Sequence, residues 1–176
     1  MERLKIGGLK LSFVLGQFEL RGPDPPQKIL STVSKALSAE KINIEFLTYN
    51  SSNGNGYHIS LCVNEENFST TAKIFQKNDW LPLNWEVIAR ERIGMVTIFP
   101  YQSALSLVDI ILVTWRENSI PIYGVATSLS AVSVLTDFLA MDKAVEVIQG
   151  SFQLPDNHAP LKPEFHYDQS TVNKKD

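Results

Sequence analysis

The segment KALSAEKINIEFLTYNSS, residues 35–52, runs from a helical pattern through a polar break into residues that alternate between apolar and polar. The segment ILVTWRENSIPIYGVATS, residues 111–128, has the same succession. Aligning Ile42 with Ile120 places the two copies 78 residues apart. That spacing is the length of a small domain and exceeds the period of solenoid repeats. The sequence therefore predicts a duplicated domain.

The first copy predicts the order strand, helix, two strands, helix and strand. Residues 10–19 are rich in β-branched and aromatic side chains, which favour a strand, and residues 26–40 have helical periodicity. The further elements are a strand marked by Ile42, Ile44 and Phe46, a turn at residues 50–56, a strand marked by Ile59, Leu61 and Val63, a helix marked by Phe68, Ala72 and Phe75, and a strand at residues 85–90.

The second copy predicts the same order. Its elements are a strand with Met95, Thr97 and Phe99, a helix with Leu105, Val108, Leu112 and Trp115 on one face, paired strands at residues 121–128 and 131–138, a helix marked by Ala144, Val147 and Ile148, and a last strand at residues 152–154. Each copy is thus expected to be an α+β, ferredoxin-like βαββαβ unit, an antiparallel sheet with two helices on one face.

Composition and charge exclude several classes of protein. Hydrophobic residues make up 44% of the chain and charged residues 20%, which is ordinary for a folded globular protein. The net charge of −3 and the lack of a basic stripe argue against a nucleic-acid partner. The one cysteine, Cys62, allows no intramolecular disulfide. No apolar run is long enough to suggest a membrane span, so we expect a cytoplasmic protein.

Three segments together carry a resemblance to a known family. They are KALSAEKINIEFLTYN (35–50), YHISLCVNEENFSTTAKIF (57–75) and TWRENSIPIYGVATSLSAVSVLTDFLAMDKAVEVIQGSFQLP (114–155). They resemble the paired ACT domains at the C-terminal end of aspartate kinases, and the likeness extends over about residues 3–155. The sequence contains no glycine-rich phosphate loop with a lysine. The resemblance therefore implies a stand-alone regulatory pair without the kinase domain, and no enzyme activity.

The resemblance also implies a domain organisation. The first ACT domain is expected at residues 9–91 and the second at residues 92–155, followed by an extended tail at residues 156–176. In the family the first unit is inserted into the second, so residues 3–8 are expected to pair with the second unit. Such units commonly associate through open sheet edges, so we expect a homodimer and a partner enzyme that receives the signal.

In this family the ACT pair binds a feedback amino acid, commonly lysine or threonine, at the interface between two ACT units. By resemblance, Asp24 would hold the α-ammonium group and the start of the following helix would receive the α-carboxylate. The ligand-binding residues implied in this way are Asp24, Pro26, Gln27, Lys28, Ile29 and Asn50 in the first copy, and Ile122 and Ser128 in the second. No cofactor and no metal are implied.

This sequence departs from the family pattern at several of these positions. Gln27 stands where the family usually has glycine, Tyr49 where glutamine is common, and Pro121 where asparagine is common. The second copy's loop FPYQSALS, residues 99–106, has no matching glycine or aspartate. We therefore expect one ligand site of the usual two. The alternative function is a degenerate ACT pair that serves only as a dimerisation or protein-interaction module.

Other roles remain open for individual residues. Asp24 lies two residues before Pro26 and could cap the helix instead of, or as well as, binding a ligand. Asn50 begins a turn-rich stretch and could serve only that turn. His58 and Cys62 share one face of a strand, which suggests packing more than a metal pair, because two further ligands are missing. An RNA-recognition module and an acylphosphatase-like enzyme have the same element order, but their key side chains are not in this sequence.

Overall fold

A computed structural model describes residues 3–23, 27–52, 56–77, 81–82, 84–100 and 104–156. In chain order these residues form β1 (Leu4–Leu11), β2 (Leu15–Gly22), α1 (Gln27–Ala39), β3 (Phe46–Ser52), β4 (Gly56–Asn64), α2 (Phe68–Gln76), β5 (Glu86–Pro100), α3 (Ala104–Glu117), β6 (Gly124–Thr127), β7 (Val132–Asp137), α4 (Met141–Ser151) and β8 (Phe152–Gln153). None of these helices is long and apolar enough to cross a membrane.

Strand β5 joins the two units into one sheet. Its first part pairs with β2, and its second part pairs with β7 and with β1. The strand order is β3-β4-β2-β5-β1-β8, with β7 also on β5 and β6 on β7. The register with β2 shifts close to Arg92, which has a φ of +57°. The two strands predicted at residues 85–90 and 95–99 are therefore one continuous strand, interrupted only by this irregularity.

The helices pack on one face of the sheet in each unit. In the first unit the buried residues of α1 and α2 cover alternate residues of β2 and β4, and the cluster includes Phe18, Leu20, Val33, Leu37, Ile59, Leu61 and Phe75. In the second unit the corresponding cluster includes Val96, Ile98, Leu107, Ile111, Trp115, Val134 and Ile148. The predicted α+β, ferredoxin-like fold class is confirmed.

A third apolar cluster lies where the two units meet. It contains Leu15, Phe46, Cys62, Ile93 and Leu135, with Tyr123 packed against it. Residues of β2, β3 and β4 in this cluster alternate with those that face α1 and α2, so they lie on the face away from the helices, which we name the back face of the first sheet. The second unit thus covers part of this back face.

The two copies share an identical helix end. In the first, the amide of Ile42 donates to the carbonyl of Leu37 and Lys41 has a φ of +57°. In the second, Ile120 donates to Trp115 and Ser119 has a φ of +55°. This is the pattern of a Schellman cap, in which a left-handed residue ends the helix and an apolar residue covers it. The equivalent residues stand 78 positions apart, as the alignment of Ile42 with Ile120 predicts.

A second shared feature is a glycine beneath the second helix of each unit. Gly16 lies under the ring of Phe68, the first residue of α2, and Gly94 lies under Met141, the first residue of α4. A Cβ atom would come within 2.1 Å of Phe68 and within 1.9 Å of Met141. A side chain at either glycine would therefore force Phe68 or Met141, or the helix that carries it, to move.

Strand β1 pairs with the second unit. It runs antiparallel to the end of β5, with Ile6 opposite Pro100, and parallel to β8, with Leu4 opposite Phe152. This is the partner expected for residues 3–8, and the pairing continues to Leu11, beyond the assumed domain boundary. The first unit is thus inserted between β1 and the rest of the second unit along the chain.

Three further predicted elements differ from the structure. The single strand predicted at residues 10–19 is two strands, because the chain crosses from one unit to the other at residues 12–14. Residues 42–45 form no strand, since Ile42 belongs to the helix cap and β3 begins only at Phe46. The buried stripe of α3 is Leu107, Ile111 and Trp115, while Leu112 is 41% exposed. The apolar residues of α3 form two possible stripes. The sheet covers the stripe of Leu107, Ile111 and Trp115 and leaves Leu112 exposed.

Candidate functional site

The loop between β2 and α1 is the candidate ligand site. Strand β2 ends at Gly22 and α1 begins at Gln27. Asp24 and Pro26 lie outside the described residues, as does the side chain of Gln27. Their predicted roles, including the choice between cap and ligand for Asp24, therefore stay predictions.

The chain leading into this loop is closely packed. Gly22 lies under the indole of Trp85, and a Cβ atom at Gly22 would come within 2.2 Å of that ring. Gly56 has a φ of +88°, and a Cβ atom there would come within 2.5 Å of the carbonyl oxygen of Gly22. Both glycines are thus required by close approach, and Gly56 also by its backbone conformation. The first end of the loop is fixed by these contacts.

The start of α1 presents amide donors that have no partner within the helix. The first amides of a helix, here those of Gln27, Lys28 and Ile29, have no carbonyl partner within the helix. The first turn contains no acidic side chain, which leaves Asp24, outside the described residues, as the nearest preceding carboxylate in the sequence. Ile29 is 5% exposed and is buried in the core of the first unit, whereas Lys28 is exposed. Ile29 therefore anchors a helix end whose partial positive charge favours an anion.

Asn50 lies at the same end of the sheet as this loop. It is an exposed residue of β3 and stands opposite His58 of β4, which in turn stands opposite Arg21 of β2. Its alternative reading as a turn residue is wrong, because β3 continues to Ser52. By strand alternation Asn50 is on the back face, together with His58 and Arg21.

Ile122 and Ser128 lie in the second unit. Ile122 packs against the second unit's helix-side core. The hydroxyl of Ser128 accepts hydrogen bonds from the amides of Ser130 at 3.3 Å and Ala131 at 3.0 Å, so it holds the turn between β6 and β7. No hydrogen bond in the described part of the chain joins either residue to α1.

His58 and Cys62 do not form a reactive pair. Cys62 is fully buried in the contact between the units. Burial, assisted by the negative charge of Glu45, raises the pKa of the Cys62 thiol to about 12. The thiol therefore stays protonated and inert at neutral pH. Within the described ranges no group of three or more His, Cys, Asp or Glu side chains could hold a metal ion.

The sequence reasoning missed a polar cluster on the back face. Glu19 is 4% exposed, and its two carboxylate oxygens accept hydrogen bonds from Arg21 and Arg90, each at 2.6 Å. Burial opposes the charge, but the two arginines outweigh it, so the pKa of Glu19 lies below its ordinary value. His58 Nε2 is 3.4 Å from the same carboxylate without forming a hydrogen bond.

A buried glutamine extends this cluster. Gln17 is fully buried, and its amide donates to the hydroxyl of Ser60 at 2.8 Å and to the carbonyl of Tyr123 at 3.4 Å. The signal for this face was the polar alternation Gln17, Glu19 and Arg21 in a strand whose intervening residues are Phe18 and Leu20. When one face of a strand is polar, the sequence pattern predicts that this face is exposed to solvent. Only the position of the second unit shows that it is covered.

Comparisons with known proteins identify the fold. No protein-family model and no curated protein sequence match the chain. Among solved structures, the regulatory subunit of aspartate kinase from Thermus flavus matches with a TM-score of 0.73 and 19% identity, covering 85% of this chain and 99% of that one. The ligand-free regulatory subunit from Thermus thermophilus matches with a TM-score of 0.69 and 19% identity, covering 84% and 99%.

A complete enzyme gives the same result. E. coli aspartokinase III in complex with lysine and aspartate matches with a TM-score of 0.61 and 12% identity, covering 86% of this chain and 34% of that one. The chain thus has the tandem ACT fold of the regulatory part of aspartate kinases, as the resemblance predicts.

Proposed function

We propose that this chain is a regulatory ACT pair that binds a free amino acid and passes the binding state to a partner enzyme, acting in the cytoplasm and without catalysis of its own. The fold supports this role, because the chain spans almost the whole length of solved aspartate kinase regulatory subunits. The observation that carries the ligand is the start of α1. The helix begins five residues after Gly22, the close-packed end of β2, and no acidic side chain occupies its first turn.

The chemistry of this end fits an α-amino acid. The amides of Gln27, Lys28 and Ile29 would receive the α-carboxylate, and Asp24 would hold the α-ammonium group. Pro26 would keep the loop in one conformation, which reduces the entropy lost on binding. E. coli aspartokinase III was crystallised with lysine. We therefore propose lysine, threonine or an amino acid of similar size as the ligand.

The site would be completed by a second copy of the chain. Ile122 and Ser128 are distant in sequence from α1 and contact only their own unit in the described hydrogen bonds and core clusters. Strand β3 ends the described strand order and exposes Leu47 and Tyr49. We propose that a homodimer forms through such an edge and brings the second unit of one copy to α1 of the other.

A second candidate function is assembly without a ligand. Leu47 is 47% exposed and Tyr49 is 46% exposed on the same strand, which suits a protein contact regardless of any amino acid. Gln27, Tyr49 and Pro121 also depart from the family's residues at the ligand site. This alternative predicts a dimer that responds to no amino acid.

A thermal-shift screen with the twenty amino acids separates these two functions. A ligand at 100 times its Kd adds about 2.7 kcal/mol to the stability of the folded state. For a chain of this length the Tm should then rise by roughly 5–10 °C. The matched control is the same amino acid with its α-carboxylate converted to an amide, which should give no shift. If none of the twenty shifts the Tm at millimolar concentration, the amino-acid-binding function is rejected in favour of assembly without a ligand.

A further inference from the structure

The contact between the two units contains a polar seam beside its apolar centre. We define the seam as Gln17, Glu19, Ser60 and Arg90 of the first unit and Tyr123 of the second. Gln17, Glu19 and Ser60 are each less than 5% exposed. Buried polar groups are stable only when their partners are fixed in place, so the seam demands one relative position of the two units.

Two residues of the seam touch both units: Gln17, through its hydrogen bond to the carbonyl of Tyr123, and Arg90. The guanidinium of Arg90 donates to Glu19 Oε1 at 2.6 Å and lies 3.4 Å from the amide oxygen of Gln17. The same guanidinium carbon lies 5.3 Å from the centre of the Tyr123 ring, within the range of a cation–π contact. The planar group is thus fixed by a carboxylate on one unit while it faces an aromatic ring on the other.

Tyr123 is itself tied to the second unit's sheet. Its amide donates to the carbonyl of Leu135 at 2.9 Å, and its hydroxyl is 3.5 Å from a carboxylate oxygen of Asp137. Burial and the charge of Asp137 raise the pKa of Tyr123, so the ring is a neutral phenol at physiological pH. Tyr123 therefore moves together with β7 and the adjacent β6.

We propose that Arg90 is a latch that couples the two units. Glu19 lies on β2, three residues before that strand ends at the candidate ligand loop. A displacement of β2 would move Glu19. The Glu19–Arg90 hydrogen bond and the contact of Arg90 with the Tyr123 ring would transmit it to the β6–β7 hairpin. The coupling is a property of the fold and does not depend on whether an amino acid binds.

A plainer role for Arg90 makes a different prediction. If Arg90 only neutralises Glu19 within the first unit, the Tyr123 ring adds nothing, and the apolar cluster and the hydrogen bond from Gln17 to the Tyr123 carbonyl hold the units together. Replacing the ring would then leave the β6–β7 hairpin unaffected. If the latch exists, the ring and the guanidinium act as one contact, and their replacements are not additive.

Hydrogen–deuterium exchange on the full chain tests the latch. The variants are Arg90→Met, Tyr123→Leu and the double variant, with Arg116→Met as control because Arg116 is exposed at the end of α3. The latch predicts that both single variants speed exchange in β6 by at least roughly tenfold. It also predicts that β3 and β4 keep their protection in Tyr123→Leu, the variant that leaves the Glu19–Arg90 pair in place. The double variant should exchange no faster than the faster single variant.

Tyr123→Leu keeps the test open if Arg90→Met unfolds the chain, since it leaves the Glu19–Arg90 pair intact. Unchanged exchange of β6 in Tyr123→Leu would overturn the latch. Additive effects in the double variant would overturn it as well. So would equal acceleration in every strand, because that result means general destabilisation rather than loss of coupling.

Discussion

Glu19 shows how one side chain gains its importance from the tertiary structure. In the sequence it is one of several acidic residues, and in the structure it is a nearly buried carboxylate held by two arginines. An ionised carboxylate in such a place is stable only while its partners remain. Its charge therefore links the stability of the first unit to pH.

The first prediction concerns this linkage. Because the folded-state pKa of Glu19 is lowered, its contribution to stability is complete above the unfolded pKa of about 4.3 and is lost as the pH falls towards the folded value. Glu19→Gln should lower the free energy of unfolding at neutral pH by about 1.5–3 kcal/mol, the worth of a hydrogen bond to a charged group. Urea unfolding from about pH 6 to about pH 3 should show a smaller loss in the variant.

The control for this series is Glu146→Gln, because Glu146 is an exposed residue of α4. It should unfold like the wild type at every pH. Equal pH dependence in Glu19→Gln and the wild type would mean that Glu19 is not the carboxylate responsible.

At the scale of elements, the repeated helix cap yields the second prediction. Lys41 and Ser119 each have a left-handed backbone that only glycine adopts without strain. Lys41→Gly and Ser119→Gly should each stabilise the chain by up to about 1 kcal/mol, less the entropy that glycine adds to the unfolded state. Thermal unfolding should show a higher Tm for both variants.

Lys35→Gly is the matched control for the caps. Lys35 is exposed within α1, where glycine should destabilise by about 1 kcal/mol. A fall in Tm for either cap variant would contradict the shared cap geometry.

The same caps explain which elements could be predicted from sequence. The duplication was visible because the cap repeats with its apolar residue, Ile42 or Ile120, at a fixed spacing. Local periodicity could not show that Ile42 covers a helix end, because an alternating pattern also fits a strand. It also could not choose between the two apolar stripes of α3, since that choice depends on which one the sheet covers.

The candidate site likewise has parts that could be predicted from the sequence and parts that could not. The helix predicted from periodicity at residues 26–40 agrees with α1, Gln27–Ala39, whereas Ile29 is assigned by resemblance. The seam of Gln17, Glu19 and Arg90 depends on residues 73 positions apart and on the second unit, so no local pattern contains it. The ligand residues themselves rest on resemblance and stay predictions.

At the scale of the whole molecule, the third prediction is a homodimer that uses the edge strand β3. Leu47 is 47% exposed there, so Leu47→Glu would place a charge in an apolar contact. Light scattering should give a dimer for the wild type and a monomer for this variant at micromolar concentration. Leu139→Glu is the control, since Leu139 is 80% exposed on a turn outside the strands. A monomeric wild type at high micromolar concentration would reject the dimer.

The central claim is that the loop after β2 holds an amino acid, and titration calorimetry tests it most directly. With the amino acid that the thermal screen identifies, Asp24→Asn should weaken binding by about 1.5–3 kcal/mol, the worth of a charge-assisted hydrogen bond. Asn caps a helix as well as Asp, so the variant should keep its stability. Asp109→Asn, an exposed change on α3, should bind like the wild type. Equal affinity in Asp24→Asn and the wild type, or no binding by the wild type at millimolar concentration, would contradict the account.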